Sequence, residues 1–178
     1  MKFVTPYEKE RIEYLVNYFI IEQRKKTGII ISEDFLVERL FLFDFTVLKE
    51  TGQLTLNLEW EVLGKYKKLI VPETVSKFYK KAISNINAID VNFDYFSEYE
   101  LRLMESIIVR YYDSYDSNTI YEMDVFNKAI LNKTNRIEYE YAFCNNINEL
   151  LDKPIDLLSR AEERFLFMYR ISEDVEKM

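Results

Sequence analysis

A change of hydrophobic period near the middle of the chain sets the strongest limit on how it can fold. From residue 54 to residue 62 apolar and polar side chains alternate, with the apolar set Leu54, Leu56, Leu58, Trp60 and Val62. This two-residue repeat predicts a β-strand with one buried face, on which Trp60 lies, and a solvated face that carries Glu59 and Glu61. A lone strand leaves its backbone groups unpaired, so a partner strand is required. Gly64 is placed to turn the chain into a second arm at residues 69–71, which would complete a short hairpin.

Helical patterns flank this element on both sides. Thr5 and Pro6 are an N-cap and first-turn pair for a first helix that Gly28 ends, with its apolar stripe at Ile12, Leu15, Val16, Phe19 and Ile20. A second helix, from Ser32 to Gly52, is hydrophobic nearly all round, which is typical of a helix at the centre of a bundle.

Further helices are predicted after the strand. Pro72 introduces a third helix, and Ser97 and Glu100 form a capping box for a fourth. Helical stretches follow at 118–130, 136–152 and 155–175, the last with a core face of Leu157, Leu158, Ala161, Phe165 and Met168. The predicted fold class is therefore mainly α (α+β). It is a compact bundle of about six to seven helices with one small antiparallel β-hairpin or sheet near residues 54–71.

Composition narrows the possible chemistry. The chain has 178 residues and contains no histidine, so no Ser-His-Asp or Cys-His nucleophile system and no histidine-ligated metal site can form. Its one cysteine, Cys144, lies in a Tyr- and Phe-rich stretch and is most simply a buried thiol. These features favour a protein that is not an enzyme and has no catalytic residues, metal or cofactor.

Charge and hydropathy indicate the cellular setting. A net charge of −7 gives no global attraction to phosphate backbones, so we expect no direct nucleic-acid partner, although a local basic patch stays open. The N-terminal residues have no apolar core of a secretory signal, and the longest apolar runs are about five residues, against the ~20 that span a bilayer. We therefore expect a cytoplasmic protein without a membrane partner.

Two segments, taken together, resemble the Panacea domain family, the SocA-like antitoxin domain. In residues 38–81, Leu40 to Asp44 resemble the family's helix, Thr51-Gly52-Gln53 its turn and Leu54 to Trp60 its strand. In residues 96–129, the stretch Phe96 to Leu101 resembles a Leu-Ser-Glu-x-Glu-Leu helix start, Ile107 to Tyr112 the end of that helix, and Ser117 to Glu122 the following short helix.

The resemblance covers about residues 40–140 and identifies the chain as a divergent member. Its organisation would be an N-terminal helical extension, 1–34, and a Panacea-like helical domain, 35–178. The family's Tyr-Gly-Pro-Val after the strand is replaced by residues 65–72, and Phe126 stands where relatives have a tryptophan, without the histidine that precedes it.

The resemblance implies a non-enzymatic protein-binding module that neutralises a cognate toxin by direct contact. One alternative is a phage or mobile-element protein that binds and blocks a host defence complex. A third hypothesis is a metal-dependent hydrolase built on the acidic stretch Asp113, Asp116, Glu122 and Asp124, although acidic turns that cap helices are common.

Aromatic residues suggest where a partner would bind. The chain has 14 tyrosines and 13 phenylalanines, and tyrosine is enriched at protein interfaces. The alternative is that these rings pack inward and leave only the hydroxyl in water. The predicted partner-binding residues are Tyr112, Tyr115, Tyr121, Phe126, Glu59 and Glu61. A homodimer is also open, since the helix in residues 1–34 could serve as a dimerisation or partner-docking helix.

Overall fold

The chain folds around a central helix, as a computed structural model of residues 7–63, 68–111, 118–121 and 123–176 describes it. The helices are α1 (Glu8–Thr27), α2 (Glu33–Thr51), α3 (Glu73–Ser84), α4 (Glu98–Tyr111), α5 (Asn118–Tyr121), α6 (Asp124–Leu131), α7 (Ile147–Leu151) and α8 (Arg160–Glu176). The strands are β1 (Trp60–Leu63), β2 (Lys68–Leu69) and β3 (Arg136–Ile137), and 3₁₀ turns span Phe93–Tyr95, Tyr139–Ala142 and Ile155–Leu157. The predicted mainly helical bundle with a small antiparallel sheet is confirmed.

The three strands form one antiparallel sheet in the order β2-β1-β3. Val62 pairs with Leu69 in the predicted hairpin, and Trp60 pairs with Ile137 on the other side. The β3 pairing corrects the helix predicted over 136–152. Lys133, at φ 54°, turns the chain after α6. The residues that follow then form backbone hydrogen bonds with β1, and the Val62 N–H donates to the Asn135 carbonyl at 2.7 Å.

Burial along residues 54–62 follows the predicted alternation, but the regular strand is shorter than the pattern. All five apolar residues are buried, with Trp60 fully enclosed, whereas only Trp60 onward is strand. Asn57 has a φ of 50°, which interrupts an extended backbone. Thr55, predicted to face solvent, is instead 2% exposed because the chain before the break lies within the core.

Helix α1 begins at Glu8 with Tyr7 as its N-cap, so the predicted cap at Thr5 was wrong; Thr5 itself lies outside the described residues. Gly28 ends the helix in the left-handed conformation, as predicted, and its N–H donates to the Arg24 carbonyl. The apolar stripe is completely buried and packs on α2 and α3 within the common core. That stripe is therefore not free to dock a second protein.

Helix α2 occupies the centre, where it contacts α1, α3, α4 and α8. Buried residues lie on both of its faces, as the all-round hydrophobic pattern predicted. Gly52 ends it at φ 72°, where a Cβ atom would lie 2.1 Å from the carbonyl oxygen of Ala161. The absence of a side chain at Gly52 thus lets α8 approach the end of α2.

The boundaries of the other helices agree in part with those predicted from the sequence. The capping box of α4 is confirmed, since the Ser97 N–H donates to Glu100 Oε2 at 2.8 Å and the Glu100 N–H to Ser97 Oγ at 3.3 Å. The helix predicted over 118–130 is two helices, α5 and α6. Helix α8 starts at Arg160 rather than 155, because Ser159 forms its own capping box with Glu162.

The predicted core face of α8 agrees only in part. Ala161 and Phe165 are buried, and Leu158 and Met168 pack partly buried against the core. Leu157 precedes the helix and is 62% exposed, so its predicted core position was wrong. Within the described part of the chain, no helix has the length and apolarity needed to cross a membrane.

Candidate functional site

A buried carboxylate holds the middle of the sheet to the central helix. Asp44 Oδ2 of α2 accepts hydrogen bonds from Trp60 Nε1 at 2.9 Å and from the Tyr139 hydroxyl at 2.7 Å. Its Oδ1 accepts from the Leu56 N–H at 3.0 Å. Asp44 is fully buried, so these bonds replace water around a polar group that would otherwise be costly to enclose.

Burial raises the pKa of the Asp44 carboxyl, and its hydrogen bonds oppose that rise. Burial, followed by the neighbouring Asp44 charge, also raises the pKa of Tyr139. The Tyr139 hydroxyl lies near two acceptors, Asp44 Oδ2 and the Leu58 carbonyl at 3.0 Å, but has one proton to donate. This group therefore stabilises the fold and holds β1 in place.

An acidic cavity of about 710 Å³ opens beside the sheet. It is bounded by β1, β3, the 3₁₀ turn after β3 and the start of α3. In the part of the chain that the structure describes, its charged lining consists of Arg136 and six glutamates: Glu8, Glu59, Glu61, Glu73, Glu138 and Glu140. We call this space, lined by these residues, the acidic cavity.

Among the lining residues that the structure describes, one arginine stands against six glutamates, so their negative charge exceeds the positive charge. Arg136 lies 3.6 Å from Glu59 and 3.2 Å from Glu138. Glu61 and Glu73 form no ion pair with any residue the structure describes. Burial, followed by the charge of Glu138, raises the pKa of Glu140. A cationic group placed in the cavity would relieve this repulsion.

The predicted partner-binding residues fall in different places. Glu61 of β1 and Glu59, directly before the strand, are exposed, as alternation predicted, and both line the acidic cavity. Tyr121 is half-buried, lines no part of this cavity, and donates its hydroxyl proton to Glu38 Oε1 at 2.5 Å. Tyr112 and Tyr115 lie outside the described residues.

Phe126 must be corrected as an interface residue. Its ring is 1% exposed and packs against Phe41, with ring centroids 5.1 Å apart. Tyr139 and Tyr141, also polar-flanked tyrosines, are buried as well. For these three residues the ring-inward alternative holds, because all three rings belong to the buried core.

The acidic stretch considered for a metal site is described only at Asp124, which is exposed and lies 3.6 Å from Lys128. Asp113, Asp116 and Glu122 lie outside the described residues. In the described ranges, no three acidic or cysteine side chains lie close enough together to hold a metal ion. Cys144 is buried, as predicted, and burial raises the pKa of its thiol to about 11, which keeps it in the unreactive thiol form.

Sequence reasoning missed the part of the cavity that follows β3. Residues 136–141 alternate in the same way as residues 54–62, with Ile137, Tyr139 and Tyr141 buried and Arg136, Glu138 and Glu140 turned toward the cavity side. That alternation was a usable signal for extended chain. No family model, curated protein or solved structure matches this chain.

Proposed function

We propose that this chain is a non-enzymatic, antitoxin-like protein-binding module that neutralises a cognate toxin by direct contact, and that its acidic cavity receives a basic segment of that toxin. The observation that carries the proposal is the excess of glutamates, six against one arginine, among the described residues that line the cavity. Carboxylates of this kind bind Lys and Arg side chains through charge-assisted hydrogen bonds.

The arrangement of the carboxylates suits an extended peptide. Glu59 and Glu61 flank Trp60 and project from the same face of the chain. Because residues rise about 3.3 Å each along a strand, these two carboxylates are spaced like alternate side chains of an extended segment. A basic segment with Lys or Arg at every second position matches that spacing. The opposite charges would also speed the encounter of the two proteins.

The resemblance to the Panacea domain family supports the antitoxin class. The two parts of its first segment, Leu40 to Asp44 and Leu54 to Trp60, are joined through the hydrogen bonds of Asp44 to Leu56 and Trp60. In the second segment, Glu100 caps α4 and also pairs with Arg11 of α1. These contacts of the motif residues help to build the scaffold that presents β1.

A co-expression experiment tests this function. The protein is tagged and purified from its native host, and each co-purifying protein is expressed alone and together with it. The proposal expects one of these proteins to arrest growth when expressed alone and to be neutralised by the wild-type chain. Growth arrest that the chain does not relieve, or no growth arrest from any bound protein, would contradict an antitoxin activity.

Charge reversal tests whether the acidic cavity is the surface that binds the toxin. The variant Glu61→Lys/Glu73→Lys changes two cavity carboxylates, and Asp94→Lys/Asp156→Lys makes the same change in net charge at exposed sites that do not line the cavity. Neutralisation should be lost in the first variant and kept in the second. If both variants neutralise equally well, the toxin binds elsewhere.

A further inference from the structure

Helix α8 exposes apolar side chains at the centre of its outer face. Phe167 is 67% exposed and Ile171, one turn later, is 43% exposed, whereas Phe165, Leu166 and Tyr169 on the inner side are buried. On a solvated helix the outermost positions are normally polar. The position of α8 farthest from the core is instead occupied by a phenylalanine.

Charged residues surround Phe167 in a self-complementary order. Arg160 and Asp174 lie seven residues before and after it, which is about two helical turns in each direction. Glu163 lies four residues before it and Arg170 three residues after it. All four side chains are exposed, and none forms an ion pair with a residue in the described part of the chain.

This order selects one way of pairing two copies of the helix. If a second copy packs antiparallel about a two-fold axis at Phe167, the two Phe167 rings meet on the axis. Arg160 then lies opposite Asp174 of the second copy, and Glu163 lies beside Arg170 on the same flank. In a parallel arrangement each charge would face its own copy and repel it.

We infer that the exposed face of α8 is the interface of a homodimer, in which two copies of this chain pair antiparallel about Phe167. The symmetry repeats each of the two opposite-charge pairs, so four ion pairs surround one apolar centre. A single helix–helix contact is a small interface, and the dimer is accordingly a weak, concentration-dependent one. The interface does not include the acidic cavity and is independent of the proposed function.

Sedimentation velocity over a wide range of protein concentration tests the apolar centre. The wild-type chain should shift from monomer toward dimer as concentration rises. Phe167→Ser should raise the dissociation constant by about tenfold or more, since it removes the central aromatic contact. Val109→Ser, at a 56% exposed apolar position on α4, should leave it unchanged. A monomer at every concentration, or a dimer that Phe167→Ser does not weaken, would overturn the inference.

Charge swaps test the antiparallel order. Asp174→Arg places like charges opposite each other at both ends of the interface and should weaken the dimer. Adding Arg160→Asp to the same chain should restore it. The helix dipole favours an acid at position 160, in the first turn, and a base at position 174, in the last turn. Weaker dimerisation of the Asp174→Arg variant would therefore not be explained by a less stable helix. Equal association of the single and double variants would overturn the pairing.

Discussion

The indole nitrogen of Trp60 donates a 2.9 Å hydrogen bond to Asp44, which joins the middle strand of the sheet to the central helix. The Tyr139 hydroxyl reaches the same carboxyl oxygen from the turn after β3. Three segments distant in sequence are thus tied to one fully buried carboxyl group. Because Glu59 and Glu61 are the chain neighbours of Trp60, this core group also positions one wall of the acidic cavity.

Replacing Asp44 with asparagine should destabilise the protein by about 1–3 kcal/mol, because the amide NH₂ cannot accept the Trp60 hydrogen bond and leaves a buried donor unpaired. The measurement is the free energy of unfolding from urea denaturation. Asp34→Asn is the matched control on the same helix, since the Asp34 carboxylate is 53% exposed and its pair with Lys68 is a surface ion pair. Equal stability of the Asp44→Asn variant and the wild type would contradict the structural role of this group.

Stability should fall as pH rises above the ordinary titration range of aspartate. Burial raises the pKa of Asp44 in the folded state, so between the unfolded and folded pKa values the folded protein binds more protons than the unfolded chain. The free energy of unfolding then decreases with pH across that window. The raised pKa values of Glu38 and Glu140 act in the same direction, and the lowered pKa of Glu162 acts in the opposite one.

Comparison with Asp44→Asn isolates the contribution of Asp44, since the other carboxyls are the same in both proteins. Unfolding free energies of the two proteins are measured from pH 4 to pH 8 or so, the range just above the unfolded aspartate pKa of about 3.9. The stability advantage of the wild type should shrink with rising pH. Parallel curves would show that Asp44 does not titrate with a raised pKa.

Two glycines with the same backbone conformation should respond differently to alanine. Gly28 and Gly52 both have φ 72° and both end a helix, but an added Cβ meets nothing within 4 Å at Gly28. Gly28→Ala should cost only the left-handed strain of roughly 1–2 kcal/mol. Gly52→Ala should cost a further 1–3 kcal/mol, on the order of an overpacked core, because the Cβ meets the Ala161 backbone. Thermal or urea unfolding of the two variants measures this difference, and equal costs would contradict the close packing of α8 on α2.

Local patterns were sufficient for most of the helical framework. The stripe of α1, the all-round hydrophobicity of α2 and the capping box at Ser97 each depend on residues close in sequence, and the structure has all three. The alternation of residues 54–62 predicted the five buried apolar side chains but not the burial of Thr55. It did not predict that the regular strand would begin only at Trp60, after the positive φ of Asn57.

Long-range pairing was the part that sequence did not determine. β3 is two residues long and is held by β1, more than 70 positions earlier, so its identity depends on a partner that no local window includes. The acidic cavity could not be predicted from the sequence for the same reason. Glu59 and Glu61 were placed correctly on one face, but Glu8, Glu73 and Glu140 join them only through the tertiary fold.

Binding of a basic peptide is the most direct test of the acidic cavity as a binding site. A fluorescently labelled peptide in which lysine alternates with threonine is titrated with the wild-type chain, and anisotropy reports the dissociation constant. We expect saturable binding that weakens with added salt. In Glu61→Lys/Glu73→Lys the affinity should fall about tenfold or more, which corresponds to about 1.4 kcal/mol of binding free energy. The control Asp94→Lys/Asp156→Lys should bind like the wild type. Equal binding by the two double variants would contradict the acidic cavity as the site for a basic segment.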